Sequence, residues 1–370
     1  MKRYILLASV AFWCGINISA EAKSYNVSES DENDYTYVSY TADAEGVLTA
    51  NYYKVSLVSA EMSASDSIVW NFSDSTSASL GWNDSSQTAS GVIGITLPHN
   101  DTTSTAYYTY TYTKPSNYTE TSTRLTSVSS ADDVQDKLFR GAHVTGSSAY
   151  GGAIYNYLGT INSLSGDFIG NYATGSSAYG GAIYNEGSTI GSLSGDFIGN
   201  YASSTNGSDY GGAIYNRGTI ASISGDFIGN YASSKYVYGG AIYNYGTINS
   251  LSGDFIGNYA SSTGTNSFAY GGAIYNYNGG TIDSISGDFI GNYASGNYAD
   301  GGAIYNYGGT IASISGDFIG NYALSTSSYA QGGAIFNQAS TIDTVGGSTN
   351  NFGGTIDSIS GDFIGNYASG

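Results

Sequence analysis

GGAIYN at Gly151–Asn156 and TINSLSGDFIGNYA at Thr160–Ala173 decide how this chain folds, because both return along the rest of its length. The hexapeptide, in general form GGAI(Y/F)N, starts at Gly151, Gly180, Gly211, Gly239, Gly271, Gly301 and Gly332. The longer block, TIxS(L/I)SGDFIGNYA, starts at Thr160, Thr189, Thr219, Thr247, Thr281, Thr310 and Thr355. Seven copies at intervals near thirty residues are an internal repeat, which overrides the two or three domains that 370 residues would otherwise imply. Each unit holds three short β-like pieces, AIYN, TIxS(L/I)S and DFIGN, separated by Gly, Ser and Asp turns. A unit this short cannot bury its own apolar face. Stacked on copies of itself it places Ile on Ile and Phe on Phe in a continuous core. The expected fold is therefore all-β, a parallel β-helix of rungs about 30 residues long.

Stacking turns each repeated position into a column. The Phe column is Phe168, Phe197, Phe227, Phe255, Phe289, Phe318 and Phe363, and two Asn columns start at Asn156 and Asn171. Stacked amides hydrogen-bond along the axis, which suits Asn at an inward turn. At ~4.8 Å per rung, seven rungs make a column roughly 35 Å long. Ile161 and Leu164 are three apart, so a straight strand would aim them at opposite faces; a bend or bulge is expected between them. Between each NYA and the next Gly pair lie six, eight, six, ten, six and eight residues. Even lengths preserve which face the following side chains occupy, so these loops are expected to be extended flaps.

A degenerate rung precedes the clear ones. Leu125–Ser129 matches the pattern of Ile161–Ser165, and Phe139-Arg140-Gly141-Ala142 stands where FIGN belongs. The alternative is a helix over Ala131–Phe139, capped by Ser130 with Asp133 at the capping-box position. Residues 23–123 lack the repeat but hold β-like runs at Lys54–Val58, Ile68–Phe72, Val92–Leu97 and Tyr108–Tyr112. They read as a β-rich N-terminal cap over the open first rung, leaving 124–370 as the repeat domain with seven clear units and one degenerate unit. No similar segment follows the last repeat, and Gly346–Gly354 is an irregular insertion within it.

Composition supports strands and limits partners. The chain has 53 Gly, 37 Tyr, 2 Pro and 1 Cys, with 11% charged residues and a formal net charge of −19. Gly, Ser, Thr, Asn, Tyr and Ile favour strands and turns over long helices. Nucleic acid is excluded as a partner, because phosphate binding needs clustered Lys and Arg and the only basic residues beyond 145 are Arg217 and Lys235. Residues 1–22 read as a secretory signal: Met1-Lys2-Arg3, an apolar run from Ile5 to Ile16, and cleavage after Ala20 or Ala22. A membrane anchor is the competing reading, but the run is short of the ~20 residues a span requires. A lipoprotein reading at Cys14 meets bulky Phe12 and Trp13 where small residues belong. If Cys14 leaves with the signal, the mature chain has no cysteine for disulfides or thiolate sites. Localisation is thus expected outside the cytoplasm, at a bacterial surface or outer membrane, or in the medium.

The paired GGAI and FIGN motifs along an exported chain resemble the GGA(I/L/V) and FxxN repeats of chlamydial polymorphic outer-membrane proteins, and more broadly autotransporter adhesin passengers. The resemblance covers the signal and residues 124–370, not 23–123. It implies a right-handed β-helix displayed at the bacterial surface with a role in adhesion. Such passengers precede a membrane β-barrel whose strands of about ten residues alternate apolar and polar. No such stretch is present, and Gly370 falls in mid-pattern. The expectation is a passenger separated from its barrel, or one exported another way, with the outer membrane reached only through that missing barrel.

Candidate sites are columns as well. The Asp column (Asp167, Asp196, Asp226, Asp254, Asp288, Asp317 and Asp362) offers oxygen ligands for Ca²⁺, or else closes turns by accepting backbone N–H groups. Adjacent Asp residues satisfy the ~5 Å carboxylate spacing of a retaining glycosidase in every rung, so that spacing singles out no site. His99 and His143 lie far apart in sequence, and Arg217 and Lys235 are isolated. No catalytic, cofactor-binding or metal-ligating residue emerges, and the chain reads as non-enzymatic with no cofactor. The Tyr column from Tyr155 through Tyr305 to Phe336, and a second from Tyr172, are either an exposed aromatic ladder for sugars or another copy, or cross-rung stacking. The Thr column from Thr160 resembles ice-binding solenoids only weakly. The function expected is an adhesin-like surface repeat with a host-surface or glycan ligand, or self-association through the open C-terminal rung. A polysaccharide-processing β-helix enzyme and an inert spacer are the alternatives.

Overall fold

The computed structural model describes residues 25–31, 34–42, 48–51, 57–62, 67–72, 77–83, 88–99, 102–126, 134–205, 207–341 and 351–370, and up to residue 113 the description is of backbone. The signal segment, the side chains of the 23–113 region and most of the Gly346–Gly354 insertion lie outside these residues. Every regular element among the described residues is a strand.

From Thr119 onwards the described residues form a parallel β-solenoid in which each repeat is one rung. Like residues pair with like: Ile154 with Ile183, Thr160 with Thr189, Phe168 with Phe197 and Tyr172 with Tyr201. The same register runs through to Phe318 on Phe363. Ile, Leu, Phe and the Ala of GGAI fill one continuous core, where Phe168 through Phe318 are fully buried. The Phe rings stack with centroids 4.7–5.0 Å apart, a spacing set by the backbone ladder and inside the range aromatic pairs favour. Both Asn columns form amide ladders, each Nδ2 donating to the next rung's Oδ1 at 2.8–2.9 Å. These bonds satisfy polar groups that would be costly to bury unpaired.

The corners explain the invariant Gly pairs. Gly211 has φ +65°, and a Cβ on Gly212 would stand 2.0 Å from the carbonyl oxygen of Gly240 in the next rung. The first glycine supplies the left-handed turn and the second lets rungs approach. Ile161 and Leu164 are both fully buried while Asn162 between them is exposed. The pairing ladder omits position 162 and its equivalents, which puts the anticipated bend there.

The even-length loops are extended. In most rungs each is two short strands, such as Tyr231–Ser234 and Tyr236–Tyr238, and their alanines meet in a second small core. We call this excursion the arch. Stacked arches form their own parallel sheet beside the main core.

Two sequence expectations need correction. The helix proposed over Ala131–Phe139 is not found over 134–139, where Val134–Arg140 is a strand on the first full rung; 131–133 lie outside the described residues. Pairing with 164–169 satisfies its backbone while burying Leu138 and Phe139, a tertiary gain that local capping signals do not match. Its irregularity is a bulge at Asp136, with φ +54°. Leu125 does not align with Ile161; it pairs with Ile154, and Val134 takes the Leu164 position. Phe139 does stack on Phe168, as the FIGN alignment requires.

Ahead of the solenoid, strands 25–31, 34–42, 48–51, 57–62, 67–72, 77–83, 88–99 and 102–113 form an eight-stranded antiparallel sheet. Thr119–Thr121 then pairs in parallel with Lys137–Phe139.

Candidate tyrosine groove

Alternation along AIYN turns Ile154 into the core and Tyr155 away from it, but away from this core is not into water. The returning leg of each arch ends in a residue just before the Gly pair, and the turn at that pair folds it back towards the AIYN strand. Tyr150, Tyr179, Tyr210, Tyr238 and Tyr270 hold this position. They cover the first tyrosine column, so Tyr184, Tyr215, Tyr243, Tyr275 and Tyr305 are buried in a cluster of their own. Of the two readings of this column, the cross-rung contact holds: centroids lie 4.9–5.6 Å apart, stacked as far as Tyr275, with Tyr305 turned edge-on to it. The second layer meets it at steep angles, as in Tyr210 on Tyr243 and Tyr270 on Tyr305. Burial pushes the Tyr238 hydroxyl up to about 12 and those of Tyr243 and Tyr275 well above the ordinary value, so all three stay neutral donors. The Tyr172 column stacks at 4.9–5.2 Å.

A third set of side chains, two residues after the first column, edges the corner: Tyr157, Glu186, Arg217, Tyr245, Tyr277, Tyr307 and Gln338. At the N-terminal end Arg124 lies 5.1 Å over the Tyr155 ring and donates to the carbonyls of Tyr150 and Gly151. Towards the C-terminal end the covering layer changes. Tyr270 is followed in register by Asp300 and then Gln331, and a cleft of about 550 Å³ opens there. Asp300 is only 3% exposed. It accepts the Gln331 backbone N–H, Oδ1 has no hydrogen-bond partner, and desolvation pushes the carboxyl up to about 7.

The other candidates are accounted for by stacking. From Asp167 to Asp317, each Asp of the column accepts, through Oδ1, the backbone N–H of the next rung's Asp at 2.8–3.0 Å. The acceptor role was expected, but the bond runs between rungs rather than within a turn. Among the described residues no cluster of three or more His, Cys, Asp or Glu is arranged to hold a metal ion. His143 stacks on Tyr172 at 4.7 Å, while the side chain of His99 lies outside the described residues. Arg217 pairs with Glu186 and sits over Tyr245, and Lys235 sits over Tyr236. The carbonyls of the Thr column accept amides from the first Asn column.

Sequence reasoning missed two carboxylates. Asp300 hides in a loop of changing length; counting backwards from each Gly pair would have shown it standing where Tyr stands in five earlier rungs. Asp209 occupies an alanine site inside the arch, fully buried and paired in register with Ala178 and Val237. Its Oδ2 accepts the Ser204 N–H at 2.9 Å, and burial pushes it up to about 7. Comparison with protein-family models, with characterised proteins and with solved structures returns no match to this chain.

Proposed function

We propose that this chain is an exported, non-enzymatic, adhesin-like solenoid, the passenger part of a surface-displayed protein, and that it binds through the tyrosine groove. One observation carries the reading: three departures from the repeat, Asp300, Gln331 and Gln338, fall in adjacent rungs and line one cleft of the tyrosine groove. A lone binding face on an otherwise repetitive scaffold is how solenoids present surfaces to large partners. Tyrosine supplies contact area with a polar tip, which suits a glycan or glycoprotein on a host surface. The signal-like N-terminus and the GGAI/FIGN resemblance support display outside the cell.

The polysaccharide-processing alternative asks for two carboxylates in different environments, one raised and one ordinary. Asp300 is the one carboxylate lining the cleft, which favours binding over hydrolysis. Beads carrying the mature chain test the proposal. They are expected to adhere to cultured epithelial cells several-fold more than blank beads, and Tyr307→Ser with Tyr329→Ser should reduce that adherence. Release of oligosaccharides from cell-surface glycans by the soluble chain, or adherence equal to blank beads, contradicts it.

A further inference from the structure

The break in the tyrosine layer has a specific chemistry. A carboxylate replaces a ring at Asp300, and the following rung places an amide, Gln331, in the same column. Among the described residues no basic side chain answers the charge: beyond residue 145 the sequence has only Arg217 and Lys235, which lie over Tyr245 and Tyr236. The cleft beside Asp300 is walled by Tyr270, Tyr275 and Tyr305, with Tyr329 46% exposed at its side. Tyrosine rings with one desolvated carboxylate and no counter-charge are incomplete as they stand.

We propose that this cleft is a binding site for an alkylammonium group, primary or quaternary. The inference deepens the adhesin reading and rests on the groove being its binding face. The ring faces attract a cation through their quadrupoles, and Asp300 supplies the opposite charge. Oδ1 is itself screened from water, so its charge acts through low-dielectric rings rather than through a solvated ion pair. Other ligands fit less well. A hard metal ion asks for several oxygen ligands, and the cleft has one carboxylate. A guanidinium prefers both carboxylate oxygens, and one is committed to Gln331. The ammonium has two natural sources, a lysine side chain of a partner protein or a choline head group.

Calorimetric titration of the mature chain with choline, with n-butylammonium and with the neutral choline isostere 3,3-dimethylbutanol decides the matter. At least one cation is expected to bind and the alcohol is not; a choline preference points to a lipid head group, a butylammonium preference to lysine. Asp300→Asn should weaken binding about tenfold or more. Asp300→Tyr, which restores the repeat residue and so favours folding, should abolish it. Asp283→Asn, an exposed acid elsewhere on the rung, should change nothing, which excludes general attraction to an acidic chain. Failure of both cations at millimolar concentrations, equal binding of the alcohol, or unchanged binding in Asp300→Asn overturns the site. If that failure comes with cell adherence intact, the ammonium site falls and the adhesin reading stands.

Discussion

Phe227 shows what a single residue contributes to a stacked fold. It is fully buried and lies 4.7 Å from both Phe197 and Phe255, so removing its ring empties a site that neighbouring rungs cannot close. Phe227→Ala is expected to cost about 3–5 kcal/mol in urea-induced unfolding, and a loss under about 0.5 kcal/mol would contradict the packing described. Asp209 is the reverse case, a residue that costs stability. With its carboxyl raised from 3.8 to about 7, the folded state holds its proton more tightly than the unfolded state. The associated stability is fully present below the unfolded value and is lost as pH rises through about 7. Asp209→Ala, the residue other rungs carry, should therefore stabilise the protein at pH 8 by roughly 2–4 kcal/mol and have little effect at pH 4. Thermal melts at the two pH values check this; an equal shift at both would mean that Asp209 is not titrating in the fold. Neither Asp209 nor Asp300 is conspicuous in the linear sequence, because each sits in a loop whose length changes from rung to rung. Phe227 is conspicuous, because its block never varies in length.

At the scale of the element, the repeat blocks were legible and the joints between them were not. GGAI and FIGN announce their strands because the side chains that define them stack on identical copies. Leu125 was misaligned because Leu-Thr-Ser-Val-Ser fits the spacing of one strand while its backbone pairs with another. The short helix failed because the Ser130 and Asp133 signals are local, whereas pairing with the next rung satisfies the whole of Val134–Arg140. The tyrosine column was placed on the outward face, yet its cover comes from the arch, whose path no local pattern reveals. The Asp column makes an element-level prediction. Its Oδ1 atoms are already acceptors for the next rung's N–H, so melting temperatures in calcium and in chelator should coincide. A large upward shift with calcium would mean that the carboxylates gather ions.

The whole molecule distributes stability evenly and concentrates difference. Ile314 and Phe318 are buried in the penultimate rung, whereas Ile359 and Phe363 are 42% and 51% exposed in the last. The rung of Ile359 and Phe363 therefore presents an apolar face, which a second copy of the same 370 residues can cover. Light scattering on the mature chain should report self-association, and Phe363→Glu or a polar capping segment after Gly370 should return it to monomer. A chain that stays monomeric at high concentration contradicts this. The central claim is that any rung supports the fold but only the rungs at Asp300 support binding. Two single-rung deletions, Gly211–Tyr238 and Gly271–Asp300, test it when each is checked for β-type circular dichroism and then measured for bead adherence to epithelial cells. Both should fold, since contacts are between neighbours and the Gly-pair register is kept in each. The account predicts that adherence survives the first deletion and is lost with the second. Loss of structure in either variant, or equal adherence in both, would contradict it.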